Sequence, residues 1–314
     1  MGDHRPRSVE EAERVLRAAV GKRLRLRFPL APLTTFRIGG PAALYLETEA
    51  DADLEAAARA VGSTGIPWVV IGKGSNILVS DRGFPGLVLR LGKGYRWAAR
   101  DGVRLHAGGS MPLPALAGVA LAHSLSGLEF GVAIPASLGG AIRMNAGAHH
   151  GSMDQVLERI DLFSLTGGGR SNLAPMEAGF RYRHSALPDG GVVVGGTVRL
   201  EAGEPSNIRR EMDEARAWRK ATQPLAEPNC GSVFKNPPGD HAARLVEAAG
   251  AKGLGVGGAA VSEKHSNFIV ARRGATASDV HSLIRLVQDR VTERYGVTLE
   301  PEVQFIGEFD LAPL

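Results

Sequence analysis

The chain has 314 residues, 44% of them hydrophobic and 22% charged, a balance that excludes extensive disorder and leaves room for two domains. No stretch approaches the roughly 18 uncharged apolar residues of a membrane-spanning helix. The net charge of +4 comes without a dense Lys/Arg block, which argues against a nucleic-acid partner, and the single cysteine, Cys230, excludes an internal disulfide and a cysteine-built metal site. Glycine is abundant, at 41 residues or about 13% where ~7% is usual, so the backbone must often approach a neighbour closely or take positive φ. The opening Met1 to Arg7 lacks the apolar core of a secretory signal, and a cytoplasmic location is expected.

In chain order, Ser8-Val9-Glu10-Glu11 is a capping-box pattern that opens an amphipathic helix running to about Val20. A basic alternating stretch from Arg23 to Arg27 follows, and Pro29 and Pro32 break the chain. Residues 51–61 predict a second helix that ends at Gly62. The apolar run 68–71 predicts a strand leading into a glycine turn at 72–76, and residues 87–91, 103–107, 159–165 and 192–200 predict further strands, with a helix at about 112–123 among them. The character changes after Glu201. Ser206 is expected to cap a charged helix to about Lys220, and a short helix at 240–249 ends at Gly250. A strand at 267–271 precedes the clearest helix, 278–295, with Val280, Ile284, Val287 and Val291 along one face. Strands are then expected around 298–299 and 303–306. The pattern implies an α+β protein with a boundary near 201–206.

Five segments carry possible chemistry. The turn Gly72-Lys73-Gly74-Ser75-Asn76 lets consecutive backbone N–H groups face an anion, although an ordinary strand–turn unit has the same pattern. It is neither the G-x-G-x-x-G fingerprint nor a P-loop. The second segment, GVAIPASLGGAIRMNAGAHHG at 131–151, is so rich in small residues that a backbone surface fitted to a flat or phosphorylated ligand explains it better than core packing; a tight crossover is the plainer reading. In Arg181-Tyr182-Arg183-His184 an arginine inside a pocket would grip a carboxylate or phosphate, whereas most such clusters are solvated surface. Ser232, preceded by Gly231, can be presented without obstruction, with Lys235 and Asn236 close by. No G-x-S-x-G elbow or local base makes it a nucleophile, so proton donation or hydrogen bonding suits it better. Glu302, in Leu299-Glu300-Pro301-Glu302-Val303, starts the last strand on the face opposite Val303, and alone it reads as a solvated strand end. The nine histidines show no metal-ligand spacing, and no metal is expected.

The succession TTFRIGG (34–40), GKGSNILVSDRGFPG (72–86), GLEFGVAIPASLGGAIRMNAGA (127–148), YRHS (182–185), GSVFKNP (231–237), AAVSEKHSNFIV (259–270) and LEPEVQFIG (299–307) closely resembles the UDP-N-acetylenolpyruvoylglucosamine reductase family. The resemblance covers about residues 28–307. It implies an α+β fold: a two-subdomain FAD-binding domain of the vanillyl-alcohol-oxidase (PCMH) type and a smaller α+β substrate-binding domain. The corresponding division is an N-terminal helix and lead-in at 1–27, the FAD-binding domain at 28–202 and the substrate domain at 203–314. It also implies NADPH-dependent reduction of an enolpyruvyl ether on a UDP-sugar through FAD, in peptidoglycan precursor synthesis. Ser232 matches the family's proton donor, Arg183 its catalytic arginine and Glu302 its catalytic glutamate. Arg37, the first glycine turn with Ile77, and Ile134, Pro135, Ala136, Ser137, Gly139, Gly140, Asn145, Ala146 and Gly147 of the second segment would hold FAD. Lys235 and Asn236 would hold substrate, at its diphosphate.

Ala136 stands where the family's I-P-G stretch has glycine, and Ala133 where glycine is common, so ordinary φ is expected at both with FAD retained. Only 49 positions separate Arg183 from Ser232, which favours the shorter subtype without the tyrosine-bearing loop. No histidine stands in the 72–76 turn, so the flavin is expected to be non-covalent. A monomer without nucleic-acid or membrane partners is expected. The alternative is a flavin oxidase or dehydrogenase of the same fold acting on another alcohol or sugar, which has no need of Ser232 and Glu302.

Overall fold

The computed structural model describes residues 7–149 and 151–309. The secretory-signal reading of Met1 to Arg7 falls almost wholly outside these residues, as does His150. No described helix is long and apolar enough to cross a membrane.

Two compact units result, and they cut the chain differently from a boundary at 201–206. Among the described residues the first holds the chain up to Arg27 with Ala43–Lys73 and Pro85–Trp218; the second holds Phe28–Ala42, Gly74–Phe84 and the chain from Arg219 onward. The physical reason lies in the apolar side chains. Ile208, Met212 and Ala215 of the helix Pro205–Thr222 are buried in a core with Leu125, Val156 and Leu200, while Phe36 and Leu78 belong to a core built from residues 230–303.

In the first unit the helix Arg7–Val20 buries Val9, Ala12, Leu16 and Val20, one stripe at helical spacing. It shares a core with the helix Asp51–Thr64 and a sheet whose strands Arg25–Pro29, Pro41–Thr48, Phe84–Leu91 and Trp68–Val70 lie side by side in that order. The second helix does not stop at Gly62. It continues to Thr64 because Gly65, at φ 62°, takes the left-handed cap and donates its N–H to Val61 O. At its start the Asp53 carboxylate accepts from Glu49 N and receives both arms of the Arg23 guanidinium at 2.6 Å. Burial alone would raise that carboxyl; the Arg23 fork and the backbone donors outweigh it and hold it below its ordinary value.

A second sheet orders the strands Arg170–Leu173, Leu157–Ser164, Gly191–Arg199, Arg104–Gly108 and Ala98–Asp101. Its core takes in much of the second glycine-rich segment. Leu138, Ala141 and Ile142 are buried on a short helix, Leu138–Arg143, and Phe130 and Val132 are buried beside them. The expectation that this segment contributes little to a core is therefore corrected. The charged helix of the C-terminal half begins at Pro205 and is not capped by Ser206, because proline is well suited to a first turn that needs no N–H.

In the second unit the helix Ala277–Tyr295 buries Val280, Ile284, Val287 and Val291 and ends at Gly296 with φ 67°. Thr276 caps its start, and Asp81 adds its carboxylate to the N–H groups of Ala277 and Ser278. Strands Gly255–Val256, Ala259–Val261 and Ile269–Ala271 form a small antiparallel sheet, and Gln304–Ile306 pairs in parallel with Ile77–Val79. Residues 298–299 form no strand, and the last strand starts one residue later than expected.

Candidate active site

Ser232 sits in an extended segment held on both sides. On one side Val233 N donates to Asn267 O at 2.8 Å, and the Asn267 side chain both accepts from Phe234 N and donates to Phe234 O. On the other side Glu302 N donates to Val233 O at 2.7 Å and Lys235 N to Glu300 O at 2.9 Å. Ser232 and Glu302 are thereby brought onto neighbouring extended segments of one unit. The Ser232 hydroxyl makes no hydrogen bond to any described residue and is half-buried, so its proton is free for a ligand. Glu302 is also half-buried, whereas Val303 beside it is buried. The Glu302 carbonyl accepts from Asn76 Nδ2 at 3.0 Å, and Asn76 O accepts from Gln304 N. The first glycine turn is thus clipped to the glutamate segment. Burial pushes the Cys230 thiol up, and the nearby negative charge of Glu302 adds to it; Cys230 stays a protonated, inert thiol.

The two expected substrate residues already have partners. Lys235 Nζ lies 2.6 Å from Glu300 Oε1, and Asn236 Oδ1 accepts from Ala242 N at the start of the helix Ala242–Ala248. Asn236 keeps its Nδ2 donors for other contacts.

Arg183 is presented in the first unit by a two-residue turn, closed by paired bonds between Arg181 and His184. Its φ is 54°, its guanidinium donates to Gly147 O at 2.6 Å, and Cζ stands 5.1 Å from the Tyr182 ring centre. Asn145, at φ 42° and buried, donates to Arg181 O and accepts from Asp154 N, and Ser185 Oγ donates to Arg143 O. The side chain of Asn145 therefore supports the arginine turn. Arg37 has φ 59°, so three of the six non-glycine residues at positive φ among the described residues are candidate site residues. Such strain concentrates where function over-determines the backbone.

The glycine segments meet in the first unit, where a Cβ on Gly72 would lie 2.6 Å from Ser137 Oγ and one on Gly139 would lie 2.8 Å from Val193 O. In the second unit Gly74, at φ 62°, allows its backbone to approach Leu33 O, and Thr35 N donates to Gly74 O. Lys73 has no carboxylate partner among the described residues. Partial burial, with Arg96 and Arg90 nearby, pulls its ammonium below the ordinary value. Ser137 caps the helix Leu138–Arg143, and Pro135 lies between Ile134 and Ala136, whose N–H bonds back to Ile134 O. Neither Ala133 nor Ala136 takes positive φ, as expected. Among the described residues no group of three His, Cys, Asp or Glu is placed to hold a metal.

Sequence reasoning assigned no role to Asn267, although the motif containing it stood out. The available signal was an asparagine entering a predicted strand, where a buried amide must find partners.

Residues 42–168 match the profile described as an FAD binding domain, and residues 223–306 match "UDP-N-acetylenolpyruvoylglucosamine reductase, C-terminal domain". The UDP-N-acetylenolpyruvoylglucosamine reductase of Heliobacterium modesticaldum is 46% identical over 282 residues, covering 89% of this chain and 90% of its own. The chain belongs to the UDP-N-acetylenolpyruvoylglucosamine reductase family. The reductase of that name from Anaeromyxobacter dehalogenans is 45% identical over 95% of this chain and 89% of its own length. The crystal structure of the reductase from Thermus caldophilus superposes with a TM-score of 0.79 at 38% identity, covering 90% of this chain and 99% of that one. A glucose dehydrogenase, Phl p 4.0202, superposes at 0.50 and 13% identity over 67% of this chain and 50% of its own, a likeness of fold alone. Membership makes the chain an FAD-containing oxidoreductase with the expected α+β fold.

The residues present fit that cofactor. In the first unit Lys73, partly buried beside Arg90 and Arg96 and without a carboxylate partner among the described residues, suits the diphosphate of that cofactor.

Proposed function

We propose that the chain reduces the enolpyruvyl ether of UDP-N-acetylglucosamine enolpyruvate to UDP-N-acetylmuramate with NADPH, and that Ser232, Glu302 and Arg183 carry the step on substrate. FAD, when bound, supplies hydride transfer from NADPH to the terminal methylene carbon. The chain's residues then handle charge and a proton. Addition to the double bond builds negative charge on the enol of the substrate carboxylate, and the Arg183 guanidinium opposes it with a fork that matches a carboxylate. Ser232 Oγ donates its proton to the carbon beside that carboxylate, and Glu302, in its protonated form, donates a hydrogen bond that orients the carboxylate end. One proton and one hydride are consumed, and NADP⁺ and the saturated lactyl ether leave.

The supporting observation is the Ser232 hydroxyl, without a hydrogen-bond partner among the described residues, on a segment hydrogen-bonded directly to Glu302. Main chain at Gly72–Ile77 and Ile134–Gly147, with Arg37 and Lys73, holds the cofactor, while Lys235 and Asn236 meet the substrate diphosphate once Glu300 yields its ion pair. In functional terms residues 28–202 serve FAD and 203–314 the sugar nucleotide. The reading includes a monomeric, cytoplasmic enzyme with non-covalent flavin and no nucleic-acid or membrane partner; light scattering and acid release of flavin check the assembly and the linkage.

The direct test is an NADPH titration of the yellow purified protein with and without the enolpyruvyl sugar nucleotide. Bleaching by NADPH and recovery of colour only on adding that nucleotide support the reading. Recovery with a simple alcohol oxidation product instead would favour an oxidase or dehydrogenase of the same fold.

A further inference from the structure

Asn267 has no place in the chemistry above, yet its buried side chain spends both polar atoms on one residue of the Ser232 segment. Oδ1 accepts from Phe234 N at 2.9 Å and Nδ2 donates to Phe234 O at 2.8 Å, while the Asn267 carbonyl accepts from Val233 N at 2.8 Å. A primary amide facing the N–H and C=O of one residue reproduces the paired bonds of an antiparallel ladder. Upstream, Gly231 sits at φ 82° with open space at its Cβ position, and its N–H donates to Asn229 Oδ1 at 2.9 Å. Downstream, Asn267 holds Val233 N and both backbone groups of Phe234, the two residues that follow Ser232.

We infer that Asn267 is a positioning residue, which aims Ser232 Oγ for proton delivery by fixing Val233 and Phe234 and does not itself touch substrate. This rests on the assignment of Ser232 as proton donor. A general packing residue would affect flavin retention and both half-reactions alike; a positioning residue affects only the half-reaction that needs the Ser232 proton.

The test is Asn267→Asp, close to isosteric. When ionised, the new carboxylate keeps an acceptor for Phe234 N but cannot donate to Phe234 O. Burial raises its pKa, so acidification restores one donor beside one acceptor and with them both bonds. The holoenzyme is first reduced with NADPH at neutral pH, then mixed with enolpyruvyl sugar nucleotide at a series of pH values. We expect NADPH reduction within about twofold of the parent. Flavin reoxidation should be at least ~10-fold slower at about pH 8 and approach the parent's own rate near about pH 5.5. Hydrogen exchange in the peptide spanning 231–236 should be faster at the higher pH. In a Ser232→Ala background the Asn267→Asp loss should vanish, because the two act on one proton transfer.

Equal losses in both half-reactions, parent-rate reoxidation at the higher pH, or additive losses in the double variant would overturn the proposal. Should Asn267→Asp fail to retain flavin, Asn267→Ser is measured in the same way; failure of both assigns Asn267 to the fold in general and ends the positioning role. Normal reoxidation by Ser232→Ala alone would overturn the donor assignment as well, whereas its collapse beside an unaffected Asn267→Asp would overturn only this inference.

Discussion

Arg183 and Ser232 are held in place by different physical means. Arg183 stands on a local device: a two-residue turn, a left-handed φ, and a guanidinium tethered to Gly147 O. Ser232 stands on partners distant along the chain, Asn267 on one side and Glu300 with Glu302 on the other, and its own φ is not positive. The arginine is therefore placed by a strained local turn and by contacts of its own side chain, Gly147 O among them, which a change of side-chain shape disturbs at once. The serine is placed by a ladder of backbone bonds, which tolerates surface changes but depends on the buried residues that set its register.

The largest expected effect attacks the arginine side. Arg183→Lys should slow flavin reoxidation by about 10³-fold, roughly 4 kcal/mol of transition-state stabilisation, while NADPH reduction is spared, because a point charge replaces a fork. Stopped-flow absorbance separates the two steps, and near-normal reoxidation would remove Arg183 from the chemistry. Gly74→Ala comes next. Its Cβ would lie 2.0 Å from Leu33 O at a φ of 62°, so a loss of about 3 kcal/mol and depletion of bound flavin are expected by thermal unfolding and absorbance.

Asp53→Asn is remote from the candidate site residues and should leave kinetics alone while costing about 1–2 kcal/mol at neutral pH, since it breaks the fork between a buried carboxylate and a half-exposed Arg23. Because the folded Asp53 carboxyl titrates below its unfolded value, this contribution is complete above about pH 4 and is lost as pH falls through the folded value. The gap between variant and parent unfolding curves should therefore close on acidification. The smallest effect has the opposite sign. Gly62→Ala, within a helix and with open space around its Cβ position, should stabilise by about 0.5–1 kcal/mol, in contrast to Gly74.

Legibility followed the same division between local and distant causes. The helix Ala277–Tyr295 and the strand Gly191–Arg199 were read within about a residue, since periodic apolar side chains and a terminal glycine are local signals. Pro41–Thr48 was missed: Ala42, Leu44, Tyr45 and Leu46 are all buried and leave no alternation to read. Arg25–Pro29 looked like a charged lead-in because its side chains are at most half-buried. Ile77–Val79 is a strand because Gln304–Ile306 lies beside it, which no local window reveals. In the site, the serine, arginine and glutamate came from resemblance. The clips that hold them, Asn76 on Glu302, Asn145 on Arg181 and Asn267 on Phe234, join residues 33 to 226 positions apart and became readable only with the fold. The helix contact of Asn236, whose Oδ1 accepts from Ala242 N, was likewise not readable from its own segment.

The central claim is that the Ser232 hydroxyl delivers the proton that completes reduction of the enolpyruvyl ether. Separate stopped-flow measurement of both half-reactions in Ser232→Ala addresses it most directly. Unchanged bleaching by NADPH, with colour recovery on sugar nucleotide slowed by ~10³-fold or more, is the predicted result. Equal slowing of the two steps, or recovery at the parent rate, would contradict it.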